Sequence, residues 1–490
     1  MPELRMLEKA TTRLKNNNYD LLIQTGICFI LFLTSVFVRI ALRTWFLSHY
    51  DTSTYFSLEG YQWEVYNDPE VYYQNYLYAF KYESWNPYAF DRGYPLTGYV
   101  YGPYFVFFLV IISYFIDIFY PGLPRLDRAW MAVTFTPLIF DSITTVFIYL
   151  ILLKKPQNGK RNKLNQFYSL FAAVIFIFMP LVLFYNDFIF LNSYMFTTFA
   201  VISFYYLQKS KYKLSAFFIV LSVLTKLNSL FLIPLWFLYL FRLDRKIALK
   251  YLTYLIIFFF LLSFPWILIE PFNYVWLQVW PGGTYNTKFS ISPTYKEWST
   301  TPFHALLFWG MEGLAKFYYY LNIAYVPLLL FLILSYFTIL LKANHFQKKE
   351  SSFISFQAMF IIGVHVFLSR GNYKYYDSFF IPFVILALAS RAQDFDKKWV
   401  GLGLFVVFTG WISLLSIWII VKVKWLHIFY TILMMLTVVV TFDIPLHTAF
   451  YRKTNYKDLF DYLKIQLKEI KEKRFKKKEK RKEKKNSKHK

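Results

Sequence analysis

The stretch "LLIQTGICFILFLTSVFVRIALR", residues 21–43, decides the fold. Its first eighteen residues, 21–38, carry no charge. A run of that length crosses the roughly 30 Å hydrocarbon core of a bilayer as an α-helix. A helix satisfies every backbone N–H and C=O within the segment, which lipid demands. Apolar runs recur at 101–120, 130–153, 167–185, 193–207, 214–241, 247–269, 321–341, 352–369, 379–390, 400–421 and 425–441. A soluble fold cannot hide so many. A transmembrane barrel would show short alternating strands instead.

Charge sets the direction of the crossings, because short cytoplasmic loops collect Lys and Arg. Arg5, Lys9, Arg13 and Lys15 put the N-terminus inside, so the first helix, about 20–43, leads outward. It is read as a retained helix, being too long for a signal peptide and lacking a small-residue cleavage site. The next basic loop, "KKPQNGKRNK" (154–163), is also expected inside. Of the two apolar runs before it, only 130–153 is therefore taken to cross. Residues 101–120, bounded by the helix breakers "YGPY" and "YPGLP", become a juxtamembrane or re-entrant segment against the outer face. Residues 214–241 start and end in basic loops, which requires a hairpin of two short helices with its tip near Lys226. The expected fold is an all-α polytopic membrane protein of about 12 transmembrane helices, with a large outer loop of juxtamembrane helices after the first.

The domain plan follows. Residues 1–19 form the cytoplasmic N-terminus, 20–445 the transmembrane domain, and 446–490 a basic cytoplasmic tail. Long outer loops occupy 44–128 and 270–320. Of the net charge of +25, residues 451–490 supply +12, from 18 Lys/Arg and 6 Asp/Glu. Beside membrane spans such charge fits contact with anionic lipid, with no nucleic acid as partner. The one cysteine, Cys28, excludes an intramolecular disulfide and a Cys-based metal site. The histidines have no metal-binding spacing, and no Gly-rich phosphate loop is present.

The stretch "SHYDTSTYFSLEGYQWEVYNDPE" (48–70) opens the first outer loop. Between 44 and 100 the loop carries Asp51, Glu59, Glu64, Asp68, Glu70, Glu83 and Asp91 among tyrosines and tryptophans, including Tyr55, Trp63, Trp85 and Tyr88. Aromatic faces beside carboxylates suit a carbohydrate: rings pack on C–H faces and acids accept from hydroxyls. The same composition also suits an interfacial aromatic belt with solvated acids. Cations are found where topology disfavours them. Arg39 and Arg43 sit at the outer end of the first helix, Lys226 within apolar sequence, and Arg370 and Lys374 in the outer loop "SRGNYKYYD". Charges at membrane depth mark pathways or partners, whereas snorkelling to the interface explains Arg43 as well. Asp141, mid-span, is expected to hydrogen-bond neighbouring helices through Thr and Ser. Glycosyl transfer would use these groups: a carboxylate takes the acceptor's proton, and cations stabilise a departing phosphate.

Several ordered stretches carry a resemblance. They are "WNPYAFDRGYPLTGYVYGPYF", "RLDRAW…LIFDSITTVFIYLILLKK", "MPLVLFYNDFIFLNSYM", "LTKLNSLFLIPL" and "SRGNYKYYDSFFIPFVILALAS". Over most of residues 20–390 the sequence resembles the GT-C fold glycosyltransferases of the mannosyltransferase-like type. That resemblance implies a hexosyltransferase taking sugar from a polyprenyl (dolichyl-type) phosphate donor. The acceptor would be a glycan, protein or lipid at the non-cytoplasmic face of the plasma membrane or endoplasmic reticulum. It implies Asp51 as catalytic base and Asp187 as a second outer acid. Asp51 stands alone rather than in a D-x-D pair, and Asp68 with Glu70 in "NDPEVYY" is a rival catalytic pair. Lys226, Arg370, Arg39 and Lys374 would bind the donor phosphate, and Tyr55, Tyr88 and Tyr101 would line the sugar cleft. Asp51 and Asp187 could share Mg²⁺ or Mn²⁺; basic residues alone could equally neutralise a lipid monophosphate. Two alternatives stay open, a transporter or flippase for a lipid-linked saccharide and a non-catalytic scaffold. No internal repeat of the kind common in transporters is visible.

Overall fold

The computed structural model describes residues 2–49, 73–83, 85–86, 102–153, 163–271, 274, 306, 310–323, 325–367, 377–395 and 398–420. The chain divides into two units, Met1–Val438 and Val439–Lys490, and all of these residues lie in the first. The basic tail and the expected last span, 425–441, lie outside them.

Among the described residues there is no strand. The helices are α1 (Pro2–His49), α2 (Asn75–Tyr82), α3 (Pro103–Phe119), α4 (Arg125–Leu152), α5 (Lys163–Ile177), α6 (Ser193–Gln208), α7 (Tyr212–Thr225), α8 (Leu232–Leu243) and α9 (Arg245–Ile269). They continue with α10 (Glu312–Ile323), α11 (Val326–Lys348), α12 (Glu350–Phe367), α13 (Asp377–Asp394) and α14 (Lys398–Ile420). A π-helical segment, Leu183–Phe188, precedes α6, and a 3-10 turn, Leu227–Phe231, joins α7 to α8. Seven described helical segments are long and apolar enough to cross a membrane. This is the architecture of a multi-pass helical membrane protein.

Local chemistry places the helix ends. Pro103 at the first position of α3 loses nothing by lacking an N–H, and its fixed φ suits a helix start. The Asp244 side chain caps α9 by accepting from the N–H groups of Lys246 and Ile247. Pro180 cannot donate backward, so the helix begun by α5 breaks before it. Two boundaries differ from the sequence reading. The first helix extends at both ends, from Pro2 to His49, so the outer loop begins later than residue 44. The span expected from residue 321 starts at Val326, because Tyr325 adopts a left-handed φ of 57°. Residues 101–120, read as a juxtamembrane or re-entrant segment, contain α3, which falls outside the segments long and apolar enough to cross. α3 buries Phe105, Val106, Leu109, Val110 and Ser113 in a core shared with α4, α6 and α7.

Between helices, lipid supplies no hydrophobic drive, so close packing and interhelical hydrogen bonds hold the bundle. Ser35 of α1 bonds Ser142 (2.9 Å) and Thr145 (3.3 Å) of α4. Thr198 of α6 bonds Thr144 (2.8 Å) and the Phe140 carbonyl (2.9 Å) of α4. Each such bond contributes on the order of 0.6 kcal/mol. The expected hairpin over 214–241 is present. Ser203–Ser215 and Ser222–Phe196 contacts set α7 antiparallel to α6. Lys226 over Phe196 and Trp236 against Phe204 set α8 parallel to α6. The chain therefore turns back at Lys226, with α6 against both arms.

Two backbones meet closely at Gly102. Its N–H donates to the Thr225 carbonyl at 3.1 Å, docking the start of α3 onto the end of α7. A β-carbon there would lie 1.6 Å from the Leu224 carbonyl oxygen, which is backbone and cannot swing aside. Gly102→Ala should therefore cost about 1–3 kcal/mol, as overpacking does. A β-carbon on Gly403 would meet nothing within 4 Å, so Gly403→Ala should be neutral or mildly stabilising. Thermal unfolding of both variants in the same detergent checks this; equal melting points would refute the tight contact.

Candidate functional site

One face of α1 carries Arg39, Arg43 and Phe46 at helical spacing, and all three grip the segment around the π turn. Arg39 is fully buried. Its Nη1 forms ion pairs with Asp187 Oδ2 and, at 3.3 Å, with Asp141 Oδ2. Its Nε donates to Ser35 Oγ at 3.3 Å and its Nη2 to the Phe176 carbonyl at 3.4 Å. One turn on, Arg43 Nη1 donates to the Thr134 carbonyl at 2.7 Å. Its guanidinium lies over the Phe135 and Phe190 rings, at 5.4 and 5.6 Å. Phe46 then stacks on Phe188 at 4.5 Å.

The π turn follows from its surroundings. The Ile189 N–H reaches back five residues to the Phe184 carbonyl, widening the helix where Asn186 and Asp187 both face the interior. Phe190 then takes φ 57°, an uncommon choice for a bulky side chain. Trp130 and Arg43 hold it there. Asn186 donates to Asp141 Oδ2 at 3.0 Å and accepts from Ser193 at 2.6 Å. The Ser378 hydroxyl in turn donates to Ser193 at 2.5 Å. The Oδ1 atoms of Asp141 and Asp187 have no hydrogen-bond partner among the described residues.

Next along the chain, Asn192 accepts from Lys226 Nζ at 2.8 Å. Lys226 is part-buried at the break between α7 and α8. Two residues on, the Asn228 amide meets His365 Nε2 at 3.1 Å. His365 Nδ1 lies 2.7 Å from the Ile361 carbonyl, which can only accept. That assignment puts the imidazole proton on Nδ1 and leaves Nε2 to accept from Asn228. The tip of the hairpin is thus fixed from α12 as well as from the start of α6.

The structure brings together some of the sequence-derived candidates. Lys226 stands at a hairpin tip, as expected. Arg39 and Asp187 are corrected. The guanidinium expected to hold a donor phosphate and the acid expected at the outer surface neutralise each other inside the protein. Arg39 engages Oδ2 of Asp187, and among the described residues no group of three or more His, Cys, Asp and Glu could hold a metal ion; a site shared with Asp51 falls outside them. Asp141 does bridge helices, but through Arg39 and Asn186 rather than through Thr and Ser. Arg43 faces inward between two rings instead of snorkelling. Asp51, Asp68, Glu70, Tyr55, Tyr88, Tyr101, Arg370 and Lys374 lie outside the described residues. Sequence reasoning missed Asn186, Asn192, His365 and Ser378. Their signal was polar residues inside apolar runs, "YND" and "LNSY", next to a motif already singled out.

The chain matches no family model, and no curated protein matches it.

Two arginines and two aspartates sit within this one layer, so the charges balance only as a set. Removing one partner of a buried pair typically costs about 3–5 kcal/mol, because the other charge is left uncompensated. Arg39→Met should fall in that range, and Arg43→Met should cost clearly less. Thermal unfolding in detergent measures both; a mild effect at Arg39 would show that the layer is open to water.

Proposed function

We propose that the protein is a membrane-integral glycosyltransferase that moves a hexose from a polyprenyl phosphate to a hydroxyl-bearing glycan, protein or lipid on the non-cytoplasmic side. One observation carries this reading. Four segments enter or leave the described bundle at one end, and their bounding residues are linked. α1 ends at His49, two residues before Asp51, and packs through Phe46 and Arg43 on residues 188–190. Asn192, just beyond, holds Lys226. Gly102, which follows Tyr101, is bonded to Thr225, which precedes Lys226. Ser378, four residues after Lys374, is bonded to Ser193. An acid, several cations and aromatic residues, which glycosyl transfer from a lipid phosphate requires, thus belong to segments rooted side by side.

In the proposed step the acceptor oxygen attacks the anomeric carbon while Asp51 takes its proton. The bond from that carbon to the phosphate oxygen breaks, and the electron pair leaves on the lipid phosphate. Lys226, with Arg370 and Lys374, neutralises the growing negative charge. Arg39 has no part in this clamp, being committed to two aspartates. Tyr55, Tyr88 and Tyr101 offer flat faces to the sugar and acceptor.

The test is transfer of labelled hexose from synthetic polyprenyl phosphates by the purified protein in detergent, where transport has no meaning. Asp51→Asn should keep donor binding and lower the rate by about 10²–10⁴, the usual cost of losing a general base. Asp68→Asn and Glu70→Gln should retain substantial activity. Lys226→Ala should weaken donor use by about 1.5–3 kcal/mol, the loss of one charge-assisted contact. Full activity in all four variants would overturn the assignment, and a dead Asp68→Asn beside an active Asp51→Asn would move the base along the loop.

A further inference from the structure

We infer that Asn186 and Asp187 form a positioning hub that sets the acid-bearing arm, the hairpin-tip lysine and the basic loop before α13 in register with one another. The inference rests on the glycosyl-transfer reading for what is positioned, and on described contacts for the positioning itself. Asp187 holds Arg39, and through it the last turns of α1, whose continuation carries Asp51. Asn186 holds Ser193, the first residue of α6, and Ser193 in turn accepts from Ser378, the second residue of α13. Asn192 stands directly before Ser193 and fixes Lys226. Arg370 and Lys374 lie in the loop that ends at α13. Two adjacent side chains therefore tie the roots of three separate stretches.

Its physical form argues for positioning over mere stability. A buried ion pair is often no more stabilising than well-packed apolar residues of similar volume. What it adds is direction: a guanidinium fork and an amide accept only narrow geometries. Charges at membrane depth are expensive, so a network that fixes orientation where apolar packing would suffice for stability points to function. The π turn is part of the device. Its extra residue widens the helix at the level where Asn186 and Asp187 make their bonds.

The experiment uses the full chain purified in detergent, with Cys28→Ser and spin labels at Ser48 and Leu230. Both sites are exposed, one near the end of α1 and the other beside the hairpin tip. Pulsed electron resonance should give a narrow distance distribution in the parent. In Asp187→Asn the distribution should broaden or shift, and Asp187→Glu should restore it in part. In parallel, kcat for hexose transfer should fall on the order of 10²-fold, the effect of a displacement near 1 Å. The donor KM should stay near the parental value. Ser203→Val, which breaks a bond between α6 and α7 far from the hub, is the stability control. It should lower the melting point without changing kcat per folded molecule. Should Asp187→Asn fail to fold, Asn186→Ala, which keeps the ion pair and removes the bridge, is read in the same way. A folded variant with unchanged distances overturns the hub, whether or not sugar is transferred. Shifted distances in a protein that transfers no hexose leave the hub standing and overturn the transferase reading alone.

Discussion

A guanidinium buried at membrane depth must be met by carboxylates, and the bundle is organised around meeting that demand at Arg39. Asp141 comes from α4 and Asp187 from the π turn, so one side chain brings three segments together. Ser35, Ser142 and Thr145 extend the polar layer between α1 and α4. Apolar packing could join these helices in many registers. Charge pairing in a low-dielectric interior allows very few. Everything above this layer, including the end of α1, the strained Phe190 and the start of α6, inherits its position from it.

Polar contacts occur at both ends of the bundle and differ in kind. At one end stand the ion-paired layer, Lys226 with Asn192, and Asn228 with His365. At the opposite end of α13, Ser351 donates to Asp394, and Gln393 donates to the carbonyls of Leu152 and Asn165 at 3.3 and 3.4 Å. Between them, at the level of Gln357 and Trp236, the contacts are a weak amide bond and stacked rings, as between Tyr239 and Phe353.

Much of the fold was legible in the sequence because apolar run length is a strong physical signal. Eleven of the twelve expected crossings fall on described helices, though four of these helices, α6, α7, α8 and α13, fall outside the set long and apolar enough by themselves. Matching basic loops at 208–213 and 242–246 were enough to require the turn at Lys226, because charge parity is a topological constraint. Pairings were not legible. Arg39, Asp141 and Asp187 are separated by 102 and 46 residues, and none of them alone points to the other two. Only the three-dimensional arrangement shows that two candidates for binding a phosphate or a metal cancel each other. The π turn was equally hidden, since neither Asn186 nor Asp187 departs from ordinary helical spacing.

The same joint has a consequence for how the chain is made. A lone Arg or Asp at the centre of a nascent helix costs about 2.5–3.5 kcal/mol to release into lipid. α1 emerges from the ribosome with Arg39 unpaired, and relief comes first with Asp141 and then with Asp187. The first span is thus better retained at the insertion machinery until α4 arrives than set adrift alone. α7, of 14 residues, reaches only about 21 Å, short of the bilayer core. The other arm of the hairpin is longer, because the 3-10 turn Leu227–Phe231 runs straight into α8. The contact that docks α3 likewise needs Thr225, so it can close only after α7 has been made.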